Sequence, residues 1–152
     1  MDAPATRRDL LKWSVTTLML AQGEEATAAG GRTALLIDPV YKQHDTGPGH
    51  PERPERYDAV TQAFDRAGLT KSLLHVPPRA ATEDEIALCH TRPYIQTAKR
   101  DIASGARKLS TGDTTISPKS WEVALTAAGG LMNTVDAVFE KKAVNAFAAV
   151  RP

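Results

Sequence analysis

His44-Asp45-Thr46-Gly47-Pro48-Gly49-His50-Pro51-Glu52-Arg53-Pro54-Glu55-Arg56 is the stretch on which the fold turns. It holds two histidines, two arginines, three prolines and two glycines. Proline locks φ and glycine opens angles closed to other residues, so the segment reads as a loop of defined shape. It follows Thr33-Ala34-Leu35-Leu36-Ile37, a continuous apolar run expected of a strand covered on both faces. It then feeds a helix from Pro54 to Ala67, with Tyr57, Val60, Phe64 and Ala67 on one stripe and Gly68 as the stop. A charged, shaped loop at the carboxyl end of a strand is where open α/β sheets hold their ligands.

Outward from this loop, strand and helix alternate. Ser72-Leu73-Leu74-His75-Val76 reads as a second short strand, ended by Pro77-Pro78. Thr82 and Glu85 form a capping-box pattern opening a short helix to about His90, and another helix is expected from Pro93 to Ser104. Lys108 to Ser117 is a polar loop. The strongest helical pattern runs from Pro118 to Lys142, with Ser117 as its expected cap. Trp121, Ala124, Leu125, Ala128, Leu131, Met132, Val135, Val138 and Phe139 make a 3.6-period stripe, expected to face the core. Gly129 and Gly130 interrupt it, each costing up to about 1 kcal/mol against alanine, and imply close approach to a sheet. Val144 to Val150 reads as a third strand. Strands joined through helices predict a parallel sheet with right-handed crossovers. An edge left open by the last strand would be exposed and sticky unless more strands followed, so the chain reads as the front portion of an α/β domain.

Composition narrows the function. The chain has 152 residues, 41% hydrophobic and 24% charged, which suits one soluble globular domain. A net charge of +1 and an aromatic content of 5% argue against nucleic-acid binding. Cys89 is the only cysteine, which excludes an intramolecular disulfide and a cysteine-based zinc site; its neighbours Ile86, Ala87 and Leu88 predict a buried small hydrophobe.

Residues 1–28 differ from the rest. Arg7-Arg8 precedes a modestly apolar run from Trp13 to Ala21, too short to span a bilayer, and small residues follow at Ala26-Thr27-Ala28-Ala29. Paired arginines before such a run resemble a twin-arginine export signal, which predicts a periplasmic or exported protein of residues 29–152. A cytoplasmic chain with an amphipathic amino-terminal extension is the alternative.

Few residues offer chemistry. His44, Asp45, His50 and Glu52 are the one cluster with metal-ligand character, at a spacing that fits no standard site. Three roles stay open: direct ligation, a loop that bonds its own backbone and caps the following helix, or one wall of a substrate channel. Arg56 falls in the first turn of a helix, where the dipole disfavours a cation. It calls for a buried carboxylate or an anionic ligand, unless it simply faces water. Asp113, in Thr111-Gly112-Asp113-Thr114-Thr115, is either a turn residue or a carboxylate placed to accept a hydrogen bond from a substrate amide. His75 and His90 read as satisfied core or edge histidines. No Gly-rich phosphate loop, G-x-S-x-G elbow or Cys/His pair is present.

The loop Gly47 to Arg56, the run Leu88-Cys89-His90-Thr91-Arg92-Pro93-Tyr94-Ile95, the run Gly112-Asp113-Thr114-Thr115-Ile116-Ser117-Pro118, the Ala127-Ala128-Gly129-Gly130 segment and the terminal Ala149-Val150-Arg151-Pro152 occur in one order. Together they resemble the histone deacetylase and acetylpolyamine amidohydrolase family, in its class II-like bacterial form. The resemblance implies a three-layer arginase/deacetylase-like α/β fold. Its full parallel sheet has about eight strands, of which this amino-terminal part supplies about three with intervening helices. It implies that Arg56 lines the inner pocket, that Asp113 grips the substrate backbone at the rim, and that His50 belongs to the loop flanking the channel. Such enzymes hydrolyse acetyl-lysine, acetylpolyamines or related amides, with zinc held by two aspartates and a histidine. A tandem histidine pair handles protons and a later tyrosine stabilises the oxyanion. In the family Arg-Pro is followed within a few residues by Gly-His-His. The sequence here contains neither those histidines nor counterparts of the zinc ligands and tyrosine. The expectation is therefore a chain that binds no zinc and hydrolyses no amide by itself. The alternative is a catalytically dead, exported binding module that uses its open sheet edge or the 44–56 loop.

Overall fold

The computed structural model describes residues 31–151. The leader expected at 1–28 lies outside the described residues. Strand β1 spans Thr33–Leu36, and a 3-10 helix follows at Pro39–Gln43. Helix α1 spans Pro54–Arg66, β2 Leu74–His75, α2 Glu83–Ile86, α3 Arg92–Ala103, α4 Ser120–Phe139 and β3 Asn145–Ala148. The three strands form one parallel sheet in the order β2-β1-β3, with Ala34 opposite Leu74 on one side and Ala146 on the other. The parallel α/β pattern is the one expected. The second and third strands are shorter than expected, as the apolar runs continue past the paired residues into the loops.

Ala34, Leu35 and Leu36 are fully buried, as a central strand covered on both faces requires. Leu36, Tyr41, Tyr57, Val123 and Ala149 form the main core beneath the 3-10 helix and α1. A second cluster joins Ala34, Val76, Ala137 and Ala143, and a third joins Ala98, Leu109 and Ile116 under α3. Each large side chain fully buried here contributes about 1.5–3 kcal/mol.

The 3-10 helix is an element the apolar periodicity did not announce. Asp38 caps it, its carboxylate accepting from the Val40 amide at 2.8 Å, and Pro39 occupies its first turn. Its purpose is visible in Tyr41, whose ring is fully buried 6.2 Å from that of Tyr57 and whose hydroxyl donates to the Thr126 carbonyl at 3.4 Å.

Helix α4 departs from its expected orientation. The residues it buries are Ser120, Val123, Gly129, Gly130, Thr134 and Ala137, whereas Leu131, Val135 and Phe139 of the apolar stripe are exposed. Small residues let the helix lie close on the sheet, and that contact displaces the larger ones to the flank. A Cβ at Gly130 would sit 2.7 Å from Leu36 Cδ2 and 2.8 Å from the Tyr41 hydroxyl, so this glycine does mark approach to the sheet. Gly129 instead abuts backbone of the 79–81 loop, where a Cβ would lie 2.5 Å from the Ala81 nitrogen. The expected Ser117 cap is also absent. Lys119 holds the N-cap position without a side-chain bond, and the Ser117 hydroxyl accepts from the Asp45 amide instead.

Cys89 is exposed, contrary to the burial expected from its apolar neighbours. Helix α2 stops at Ile86, after the capping box at Thr82 and Glu85 has formed as expected, and residues 87–89 turn outward at the surface. His75 and His90 are exposed: His75 Nε2 lies 2.6 Å from the Thr70 carbonyl, and His90 stacks on Tyr94 with centroids 5.1 Å apart.

Candidate functional site

Two loops abut beyond the carboxyl end of β1. The first is 44–53, which leaves the 3-10 helix and enters α1. The second is 105–119, between α3 and α4. Gly47 and Gly49 take φ of +83° and +78°, conformations that L side chains rarely adopt, so the glycines are what allow the first loop its path. The loop then bonds itself: Thr46 Oγ1 donates to the Glu52 carbonyl at 2.5 Å, and the Gly47 amide donates to Asp45 Oδ1 at 2.8 Å. His50 Nδ1 lies 2.8 Å from the Glu52 carbonyl and 3.1 Å from its amide, and its tautomer decides which of the two it engages.

The second loop is more ordered than a polar run suggests. An antiparallel bridge between Lys108 and Thr115 closes a turn with Asp113 exposed near its tip. The buried Asp101 anchors this turn to α3, its carboxylate accepting from the Ser110 amide at 2.8 Å and hydroxyl at 2.7 Å. The amide bond, then the hydroxyl, hold the Asp101 carboxyl below its ordinary range.

The loops join through a short polar chain. The Asp45 amide donates to Ser117 Oγ at 3.1 Å, and Ser117 and Ser120 hydroxyls lie 3.1 Å apart. Ser120 Oγ accepts from the Ser117 amide at 2.7 Å and bonds His44 Nδ1 at 2.7 Å. The Ser120 hydroxyl keeps its own proton and a second lone pair, so it bonds a neutral His44 in either tautomer, the tautomer setting which atom donates. Burial, and next the positive charge of Arg151, lower the His44 pKa below 6.5, in keeping with that neutral form. Behind this contact opens an apolar cavity of about 350 Å³, lined by His44, Tyr94, Ile95, Ile116, Trp121 and Leu125 among others.

The three residues singled out from sequence are not gathered at one point. His50 and Asp113 stand on the two abutting loops, His50 half-buried and Asp113 exposed. Arg56 is exposed in the first turn of α1. None of the three lines the apolar cavity; His44, for which ligation, self-bonding and a channel wall were all open from sequence, does. Ser120 was not singled out, and Arg151 entered only as part of the terminal motif, without a role at the site. Ser120 sits at the start of a helix and Arg151 at the end of a strand, and only the tertiary fold brings either to the loop.

The four residues with metal-ligand character do not fit a zinc site. Glu52 gives both carboxylate oxygens to Arg151, at 2.8 and 2.6 Å, while His44, Asp45 and His50 are engaged as described above. Among the described residues no group of three or more His, Cys, Asp or Glu is arranged to hold a metal ion. Of the alternative that pairs self-bonding with capping, the self-bonding half matches this geometry, whereas α1 has Arg53 at its N-cap with no side-chain bond. Among the described residues no helix is long and apolar enough to cross a membrane.

An open parallel sheet with helices around it and a shaped loop beyond its middle strand agrees with the arginase/deacetylase-like class, to which the structural likeness below assigns it. The chain belongs to the histone deacetylase family: the family model described as histone deacetylase domain matches residues 50–152. A probable deacetylase of Archaeoglobus fulgidus is 32% identical over 123 residues, covering 79% of this chain and 33% of the relative. The polyamine deacetylase HDAC10 of Danio rerio is 31% identical over 129 residues, 79% of this chain and 19% of the relative. The crystal structure of the HDA15 HD domain superimposes with a TM-score of 0.73 at 26% identity, covering 80% of this chain and 36% of that one. The chain thus spans about a third or less of the length of these relatives. The family is zinc-dependent in general.

Proposed function

We propose that this chain forms the front part of a zinc-dependent deacetylase acting on acetylated amines, either acetyl-lysine or acetylated polyamines. The family match over residues 50–152, the stretch that holds His50, Arg56 and Asp113, carries this reading. In it Asp113, at the exposed tip of the 105–119 loop, accepts a hydrogen bond from the substrate amide at the rim. His50 flanks the channel, and Arg56 serves the inner pocket. The 152 residues hold four histidines, none adjacent to another, and the described residues hold no zinc-ligating group, so the chain alone is expected to be inactive.

The test is acetate release from an acetyl-lysine peptide and from an acetylated polyamine, with zinc supplied. The 152-residue chain should match the blank. A longer chain in which Gly-His-His follows the Arg-Pro should turn over at least one substrate. A folded, zinc-loaded longer chain inert on both would overturn the deacetylase reading. Turnover by the 152 residues alone would overturn the partial role assigned to them.

A second reading is favoured by one observation. Strand β3 stands at the margin of the sheet, with Phe147 in it and Val144 just before it each 43% exposed, a surface suited to a binding module. Export through Arg7-Arg8 belongs to both readings; cell fractionation with Arg7→Lys/Arg8→Lys as the blocked control decides it.

A further inference from the structure

The guanidinium of Arg151 lies just past β3 and is 4% exposed. It reaches back 99 positions to Glu52, donating through Nε at 2.8 Å and Nη2 at 2.6 Å. Its Nη1 donates to the carbonyls of Tyr41 and His44, both at 3.0 Å. These contacts bracket the loop. Tyr41 and His44 stand where it begins, and Glu52 where it ends. Between them lie two glycines at positive φ and few side chains bonded to the rest of the fold.

We propose that Arg151 is the positioning residue of the 44–52 loop, holding both ends of that loop against the sheet so that Asp45 and Gly47 stand against Ser117 and Arg107 of the 105–119 loop. The assignment rests on the deacetylase reading only for what the positioned loop then does. The geometry asks for arginine specifically. Four bonds leave one planar fork in set directions, two to a carboxylate and two to backbone carbonyls, and a lysine ammonium has neither the reach nor the number of fixed donors. Removing the fork would leave two carbonyls and a carboxylate buried or half-buried without partners.

Backbone amide exchange by NMR on the full 152-residue chain tests this without any activity. Arg151→Lys keeps the charge and should speed exchange at the Asp45, Gly47 and Glu52 amides at least tenfold, with less than threefold change in β1 and in the middle of α4. The exchanged pair Glu52→Arg/Arg151→Glu should fail to restore slow exchange, because a carboxylate at 151 would face the Tyr41 and His44 carbonyls. Glu52→Gln, the mildest change, should loosen residues 50–52 more than 44–45. Unchanged loop exchange in Arg151→Lys would overturn the proposal, as would full rescue by the exchanged pair, which would reduce the contact to a simple ion pair. Uniform acceleration across the chain in all variants would also overturn it, since Arg151 would then act on the whole fold. The deacetylase reading fails separately, in the turnover assay.

Discussion

The His44 imidazole is joined to the Ser120 hydroxyl at 2.7 Å across 76 positions of sequence, and both residues are buried. This contact links the loop after β1 to the first residue of α4. His44→Ala should destabilise the fold by about 1–3 kcal/mol, because it removes a buried hydrogen bond together with the packed ring and leaves the Ser120 hydroxyl only its contacts with Ser117. Urea unfolding at pH 8 measures it. A cost below that range would mean water enters and replaces the ring.

The same histidine sets a pH dependence. Burial and Arg151 place its folded pKa below 6.5, so the unfolded chain takes up the proton first. The stability held by the neutral ring is full above pH 6.5 and is lost as the pH falls from there through the folded value. His44→Gln should flatten the stability profile across that interval while leaving the slope at lower pH, where carboxylates titrate. Parallel profiles for the two proteins would contradict the assignment.

Gly129→Ala should destabilise more than Gly130→Ala, although alanine gains up to about 1 kcal/mol of helix propensity at either position. At 129 the new methyl meets loop backbone, while at 130 it meets the far ends of two side chains, Leu36 and Tyr41, which shift at lower cost than backbone does. Overpacking of this kind costs about 1–3 kcal/mol. Denaturant midpoints of the two variants against the parent give the order.

Phe139→Ser should leave the stability of the chain within about 0.5 kcal/mol, since the ring is 83% exposed, and should reduce self-association. Sedimentation at several concentrations reads both arms when paired with a melting curve. A large loss of stability would show that the ring packs against residues in solution.

Asp113→Ala should likewise be neutral for folding, because the residue is exposed near the tip of its turn. In a longer, active chain the same change should lower turnover at least tenfold, the scale expected when a charge-assisted hydrogen bond of about 1.5–3 kcal/mol is lost. Equal kinetics would remove Asp113 from the substrate rim.

How far the fold was legible follows from the range of each signal. Helix α1, the capping box at Thr82 and Glu85, and the buried run of β1 are local patterns, and they hold in the structure. The face of α4 was not legible, because hydrophobicity alone ranks Leu131 and Phe139 above Ser120 and Thr134. What decides the contact is how near the helix must come to β1. The site divides in the same way. The shape of the 44–53 loop is written in its glycines and prolines. Its partners Ser117, Ser120 and Arg151 come from segments more than 70 positions away, and no spacing within the loop points to them.

Strand β1 takes β2 as one neighbour and β3 as the other, and Thr33 meets Asn145 in register. The earliest strand therefore waits for the latest before its second row of backbone bonds can close. During synthesis, Ala34, Leu35 and Leu36 emerge long before β3 exists to cover that side. Doubling the intervening chain adds only about 0.6 kcal/mol to closure, so delay rather than thermodynamics is the hazard. A nascent polypeptide arrested before residue 145 would present an apolar half-sheet to chaperones and proteases alike.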